Sequence, residues 1–243
     1  MTVLVLSDIH ANLEALDAVL AHAAGFDELW FLGDAVGYGP NPNECVERLM
    51  EHEPTVWLAG NHDWAALARL DASDFNRDAK RAAHWTRDGL SEHVRARLAE
   101  AEPMVALPDG GPTLVHGSPR HPIWEYILDA STAMDCFAYF DGPLCFFGHT
   151  HVPVMYEEGV DGTLRLTAEL DEPKPLGSSR RLINPGSVGQ PRDGDPRASY
   201  LLFDPAEGIV TYRRVGYDVA AVQEKILAAG LPASLAARLD YGW

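Results

Sequence analysis

Apolar residues in the first sixty positions follow two rhythms. Short continuous runs at 3–6, 29–32 and 56–59 alternate with stretches at 13–24 and 44–51 whose apolar side chains recur at helical spacing. This βαβαβ pattern predicts a parallel sheet buried on both faces. From 64 to 102 the chain is polar, alanine-rich and helix-favouring, with breaks at 71–75 and at Gly89. Two or three helices beside the sheet's carboxyl edge are predicted there, as a helical insertion within a single domain spanning 1–243. The second half changes character. Runs at 113–115, 144–147, 152–156, 164–167, 181–183, 199–203 and 209–213 are short, rich in β-formers and separated by Gly, Pro and Asp. They predict a second, more antiparallel sheet, closed by a helix over 219–229. Two mixed sheets packed face to face with helices outside give an α/β fold, an αββα sandwich. Residues 171–179 are the expected flexible excursion.

Composition narrows the picture without changing it. The 243 residues, 47% hydrophobic and 23% charged, are enough for one large domain with a buried core. No apolar stretch reaches the roughly 18 residues of a membrane span, and the first strand follows Met1 with no basic, apolar leader. A cytoplasmic protein with no membrane partner is expected. Cys45, Cys136 and Cys145 form no Cys-x-x-Cys pair and read as buried thiols. Nineteen basic against 36 acidic residues give a net charge of −17, which disfavours long nucleic acid as a partner. A phosphate-bearing substrate entering so acidic a protein needs a local positive centre, and bound divalent cations supply one. Monomer and oligomer are both compatible with this composition.

The chemistry lies where strands end. Asp8 and His10 follow the first strand, Gly33-Asp34 the second, Gly60-Asn61-His62-Asp63 the third, His116-Gly117-Ser118 a fourth run and Gly148-His149-Thr150-His151 a fifth. In an open α/β sheet the carboxyl ends of successive strands converge on one crevice, so these motifs meet in space. Five of the ten histidines follow β-like runs directly, whereas His22, His52, His84, His93 and His121 sit in helical or loop patterns and read as surface or locally packed. Clustered half-buried His, Asp and Asn would cost free energy unless they share a cation. Nitrogen and oxygen donors without thiolate suit Mn²⁺ first, with Fe, Zn²⁺, Ni²⁺ or Co²⁺ as alternatives. Seven ligands exceed the needs of one ion, so two ions bridged by a carboxylate are expected, a pair suited to in-line phosphoester hydrolysis.

In this order Asp-x-His, Gly-Asp, Gly-Asn-His-Asp, His-Gly and Gly-His-Thr-His resemble the calcineurin-like metallophosphoesterases, from Asp8 to His151. The β-rich remainder resembles the compact bacterial and archaeal members grouped with YfcE-like phosphodiesterases. The resemblance implies that Asp8, His10 and His151 hold one ion, that Asn61, His116 and His149 hold the other, and that Asp34 bridges them. It makes His62 the histidine beside the substrate, donating a proton to the leaving oxygen or stabilising phosphoryl charge. Asp63 is then either its orienting partner or an acidic residue at a helix N-terminus.

One departure stands out. Protein phosphatases of this superfamily carry Gly-Asp-x-Val-Asp-Arg-Gly, whereas this chain reads Gly33-Asp34-Ala35-Val36-Gly37-Tyr38-Gly39. The Asp that supports their catalytic histidine and the Arg that grips their phosphate are missing. The turn at 37–42 either presents Tyr38 and Asn41 to the cleft or is a plain turn with Asn43 capping the next helix. Arg120 and Arg192 are candidate phosphate contacts, the latter closing the run 184–192, whose Asn-Pro-Gly-Ser start also resembles the compact phosphodiesterases. Trp64, Phe75, Trp85 and Trp124 either stack on an aromatic leaving group or pack in the core.

The sequence therefore predicts a phosphoesterase acting on small phosphate esters, with phosphodiesters preferred, by attack of a metal-bridged hydroxide. A phosphomonoesterase of protein phosphatase or dinucleotide polyphosphatase type is the rival. A nuclease is disfavoured by charge. A non-catalytic scaffold, as in the retromer subunit of this fold, is disfavoured because every ligand and His62 are in place.

Overall fold

The computed structural model describes residues 1–160 and 162–243. Twelve strands, β1 (Val3–Leu6), β2 (Glu28–Phe31), β3 (Val56–Trp57), β4 (Met104–Ala106), β5 (Thr113–Val115), β6 (Leu144–Phe147), β7 (Val154–Gly159), β8 (Gly162–Leu166), β9 (Lys174–Pro175), β10 (Arg181–Asn184), β11 (Ala198–Asp204) and β12 (Ile209–Val215), form two six-stranded sheets. The first runs β3-β2-β1-β11-β12-β9 and the second β4-β5-β6-β10-β7-β8. Both are mixed, parallel across β1, β2 and β3 and across β5, β6 and β10, antiparallel elsewhere. The predicted αββα sandwich is the fold observed.

Period-two alternation sets the layers. Val3 and Val5 join Trp30, Phe146, Ile183, Leu201 and Phe203 in the core between the sheets. Leu4 and Leu6 turn outward, packing with residues of α1 (Leu13–His22), α2 (Pro42–Glu51) and α5 (Glu92–Ala99). On the far side Cys145, Phe147 and Leu182 pack with Ala133 and Cys136 of α6 (Ala130–Cys136). All three cysteines are buried free thiols, as expected.

The strands at 199–203 and 209–213 were expected in the second sheet; β11 and β12 instead extend the first, with β11 antiparallel to β1. Local pattern fixes that a segment is a strand but not which open edge it pairs with. Here the free edge of β1, buried on both faces, takes β11, itself mostly buried. Within 171–179, expected as a flexible excursion, β9 pairs with β12 and Leu176 is buried between the sheets. The polar stretch after β3 forms α3 (Asn61–Ala66), α4 (Arg77–Gly89) and α5, breaking at a 3₁₀ turn over Ala72–Asp74 and at Gly89. Helix α6 and the edge strands β4 and β9 carried no clear signal, being short. The last helices, α7 (Val219–Ala228) and α8 (Ala233–Ala237), pack with α4 around Tyr38. Among the described residues no helix is long and apolar enough to cross a membrane.

Candidate metal centre

The parallel strands deliver their carboxyl ends to one place. Backbone hydrogen bonds continue past the ends of β1 and β2, from Asp8 N to Gly33 O and from His10 N to Asp34 O, both 3.0 Å. On the other flank of β1, Gly189 N donates to Asp8 O at 3.0 Å. Gly148 N donates to His116 O at 2.8 Å, tying the ends of β5 and β6 together. The sheets are joined at this edge by His149 N–H, which donates to Asp8 Oδ2 at 3.0 Å. Close packing of backbone explains the glycine before the third motif: a Cβ on Gly60 would lie 2.0 Å from Asp34 Oδ1.

Backbone strain concentrates here. Asp8, His10, Asp34, His149 and His151 all have φ between 50° and 64°, and Tyr38 has φ 60°. Each such non-glycine residue costs roughly 1–3 kcal/mol, a cost that surrounding structure must offset and that gathers at functional sites.

All seven expected ligands are buried and brought together. His10 Nε2 and His151 Nε2 lie 3.0 Å apart, and Asp8 Oδ1 is 3.7 Å from the former and 3.3 Å from the latter. On the other side His116 Nε2 is 3.2 Å from Asn61 Oδ1, and Asp34, His116 and His149 form a second cluster of donor atoms. Asp34 Oδ2 stands between the groups, 3.7 Å from His10 Nε2 and 3.5 Å from His116 Nε2.

The rings are aimed from behind. Nδ1 of His10, His116 and His151 faces the carbonyl oxygens of Val36, Leu32 and Gln190 at 3.1, 2.9 and 2.6 Å. A proton on Nδ1 leaves each Nε2 lone pair pointing inward. His149 is turned the other way, Nε2 at 3.2 Å from Trp124 O, which frees Nδ1. Burial, with neighbouring histidines and Arg192, lowers the pKa of His10 and His149 well below the ordinary value and takes His151 down to about 4. The imidazoles are neutral near pH 7, the form that binds metal.

The carboxylates test whether cations fit. Asp8 Oδ2 accepts from Ser7 Oγ and His149 N, while Asp34 Oδ1 accepts from His62 N. Their other oxygens, Asp8 Oδ1 and Asp34 Oδ2, are buried with no hydrogen-bond partner. Burial raises the pKa of Asp34, helped by the charges of Asp63 and Asp8; for Asp8 burial is more than offset by His151. Two orphaned carboxylate oxygens ringed by neutral imidazole lone pairs are an environment that divalent cations would satisfy.

His62 lies against the cluster, its ring centroid 5.0 Å from that of His10 and 4.3 Å from that of Tyr38. Its Nδ1 is buried without a partner, and burial with Arg192 lowers its pKa well below the ordinary value. Asp63 does not orient it. The Asp63 carboxylate accepts from Asp34 N at 2.8 Å, Gly60 N at 2.9 Å and Val36 N at 3.2 Å, binding the start of α3 to the Asp34 loop. Asp63→Ala would leave three buried N–H groups unpaired at roughly 1–3 kcal/mol each. We expect a loss of roughly 3 kcal/mol or more in urea unfolding of metal-free protein; a variant as stable as the parent would refute this cross-linking role.

Of the residues proposed to touch substrate, Arg192 and Tyr38 are at the centre. Arg192 Nη2 lies 3.4 Å from Tyr38 Oη and 3.2 Å from Gln190 Oε1, and its Nε has no partner. Arg120 is elsewhere engaged, forked on Glu125 and bonded to Asp135 at 3.0 Å. Asn41 is the N-cap position of α2 without a side-chain cap, and Asn43 instead bonds Gly89 O and Ser91 N at 2.9 Å each. Phe75 reaches the site, 4.7 Å from the His62 ring, and Trp124 meets it edge-on at 5.6 Å. Trp64 and Trp85 pack against core clusters. Two residues escaped the sequence reading: Tyr126, 43% exposed and stacked on His149 at 3.9 Å, and Arg238, whose guanidinium lies 6.0 Å from the Tyr38 ring. Tyr126 sits in a loop with no strand before it, so nothing local marked it.

A model of the calcineurin-like phosphoesterase superfamily domain matches residues 1–208. The chain belongs to this superfamily. Membership makes it a phosphate-ester hydrolase of a divalent-metal-dependent family, with candidate ligand groups in place. A superfamily structure, the metallophosphoesterase from Sphaerobacter thermophilus, has 47% identity and a TM-score of 0.91 over 100% of this chain and 99% of that one. An uncharacterised protein of Methanocaldococcus jannaschii is 40% identical over 247 residues, covering 98% of this chain and 97% of that protein. A symmetrical bis(5'-nucleosyl)-tetraphosphatase of Neisseria gonorrhoeae is 28% identical over 185 residues, and the match spans 66% of this chain and 60% of that enzyme.

Proposed function

We propose that this chain is a dinuclear phosphoesterase that hydrolyses small phosphate esters, with phosphodiesters preferred. The observation that carries the reading is Asp34 Oδ2, a buried acceptor without a donor that stands between two separate groups of imidazole nitrogens. In this reading Asp8, His10 and His151 hold one ion, Asn61, His116 and His149 hold the other, and Asp34 is shared. Bound there, a metal pair would activate water for attack at phosphorus and withdraw charge from the phosphoryl oxygens.

The chain's own groups do the rest. Arg192, unpaired with any carboxylate among the described residues, offers a guanidinium to the phosphoryl oxygens from the side of Tyr38. It stands in for the arginine absent from the loop 33–39. His62, whose pKa burial holds well below the ordinary value, keeps one N–H and offers a hydrogen bond from it to a phosphoryl or leaving-group oxygen. Tyr126, Trp124 and Phe75 wall the approach with apolar surface and would favour an aryl or nucleoside leaving group.

The test is elemental analysis of purified protein together with hydrolysis of bis(p-nitrophenyl) phosphate with and without Mn²⁺. About two ions per chain and Mn²⁺-dependent turnover are expected. Faster turnover of p-nitrophenyl phosphate than of the diester would replace the diesterase preference by the monoesterase one, and failure to bind metal would end the reading. Metal also binds only the folded site, so at about a hundredfold excess over Kd it should raise Tm by roughly 5–10 °C, and chelation should reverse the rise.

A further inference from the structure

Arginines packed into this fold are mostly given carboxylates: Arg181 pairs with Glu157, Arg214 with Asp193 and Arg120 with Glu125. Arg192, on the loop after β10, is held differently. Its Nη2 is shared between the phenol oxygen of Tyr38 at 3.4 Å and the side-chain amide oxygen of Gln190 at 3.2 Å, and its Nε has no partner. A guanidinium offers only donors, so the amide turns its oxygen and not its NH₂ toward Arg192. Gln190 is 2% exposed, and its side chain has no other hydrogen-bond partner among the described residues.

The base from which that amide reaches is fixed to the metal centre. Ser187 Oγ donates to Asp8 O and accepts from Gln190 N, both at 2.8 Å, and Asn12 Nδ2 donates to Gly189 O at 2.9 Å. Gln190 O faces His151 Nδ1 at 2.6 Å, and Arg192 N donates to His151 O at 3.3 Å. The main chain of Gln190 therefore serves the candidate ligand His151, while its side chain serves Arg192. A substitution separates the two roles, because it leaves the main-chain carbonyl in place.

The neutrality of this acceptor has a chemical consequence. A carboxylate in the same place would hold the guanidinium more strongly and cancel the charge that an anion needs to meet. An apolar side chain would leave a long, rotamer-rich arginine without its anchor. We infer that Gln190 is a positioning residue, which aims the Arg192 guanidinium at the phosphoryl group of the substrate while leaving its charge uncancelled. This rests on the reading above, in which Arg192 meets the phosphoryl oxygens. Gln190 itself acts through Arg192 and through no contact of its own with the reacting atoms.

The test is a double-mutant cycle read on anion binding. Mn²⁺-loaded protein, at fixed free Mn²⁺, is titrated calorimetrically with orthophosphate for the parent, Gln190→Met, Gln190→Glu, Arg192→Met and the Gln190→Met/Arg192→Met double variant, with metal content measured for each. Gln190→Met should weaken orthophosphate about fivefold, and the isosteric Gln190→Glu, which keeps the acceptor but adds a charge, about 20-fold or more. Metal content should stay at the parent's level in both. With Arg192 already replaced, Gln190→Met should cost less than about twofold, since the residue it positions is gone. The same loss from Gln190→Met in both backgrounds, orthophosphate bound by Gln190→Glu as tightly as by the parent, or loss of metal in either single variant at Gln190 would overturn the assignment. The cycle reads the coupling of Gln190 to Arg192 alone, whereas absence of metal or of phosphoester turnover in the parent would strike the function proposed above.

Discussion

Asp34→Asn should reduce bound metal from about two ions per chain to one or fewer, and turnover of bis(p-nitrophenyl) phosphate by more than about 100-fold. The reason is positional. Asp34 Oδ1 is anchored by His62 N at 2.8 Å, and Oδ2 faces His10 on one side and His116 on the other. An amide in that place carries no charge to neutralise two cations, and it puts either an NH₂ or a neutral oxygen against neutral imidazoles. Elemental analysis decides the matter independently of activity. Retention of both ions would show that Asp34 is not shared, and the two nitrogen groups would then belong to separate mononuclear sites.

His62→Ala should behave oppositely: both ions stay, and turnover falls by roughly 100-fold or more. His62 belongs to α3 and directly precedes Asp63; its backbone N–H holds Asp34 Oδ1, while its side chain rests against the rings of Tyr38 and Phe75. Its side chain can therefore be removed without loosening the carboxylates. The donor atoms of His10, Asp34 and His62 are nevertheless close enough together to form a group of their own. Loss of an ion in His62→Ala would make this histidine a ligand, and unchanged turnover with both ions present would remove it from the chemistry. A less basic leaving group should narrow the deficit if His62 serves the leaving oxygen, because a good leaving group needs little help from a donor.

The chain's own order of residues determined the fold class and the convergence of the site. Runs of two-fold and helical period announced a sheet with crossover helices, and chain direction in parallel strands sends every carboxyl end to one edge. Asp8, His10, Asp34, Asn61, His116, His149 and His151 were legible as candidate ligands because each lies within four residues of the carboxyl end of a strand, so a local pattern carried a long-range fact. The same locality set the limit. Strand pairing is a choice between open edges, which is why β11 and β12 read as part of the second sheet and belong to the first. Arg120 stands four residues after His116 in sequence yet is consumed by Glu125 and Asp135. Arg192 and Arg238 meet at Tyr38 from positions far apart in the chain. Asp63 was ambiguous in sequence because a carboxylate beside a histidine can orient it or cap a helix; three backbone N–H groups, two of them from the Asp34 loop, decided for the cap. Candidate ligands fixed to the ends of strands travel with secondary structure and can be read from sequence. The groups around Tyr38 proposed to meet a substrate's charge are set by which loops and terminal helices pack together over that edge, and only the tertiary structure brings those into contact.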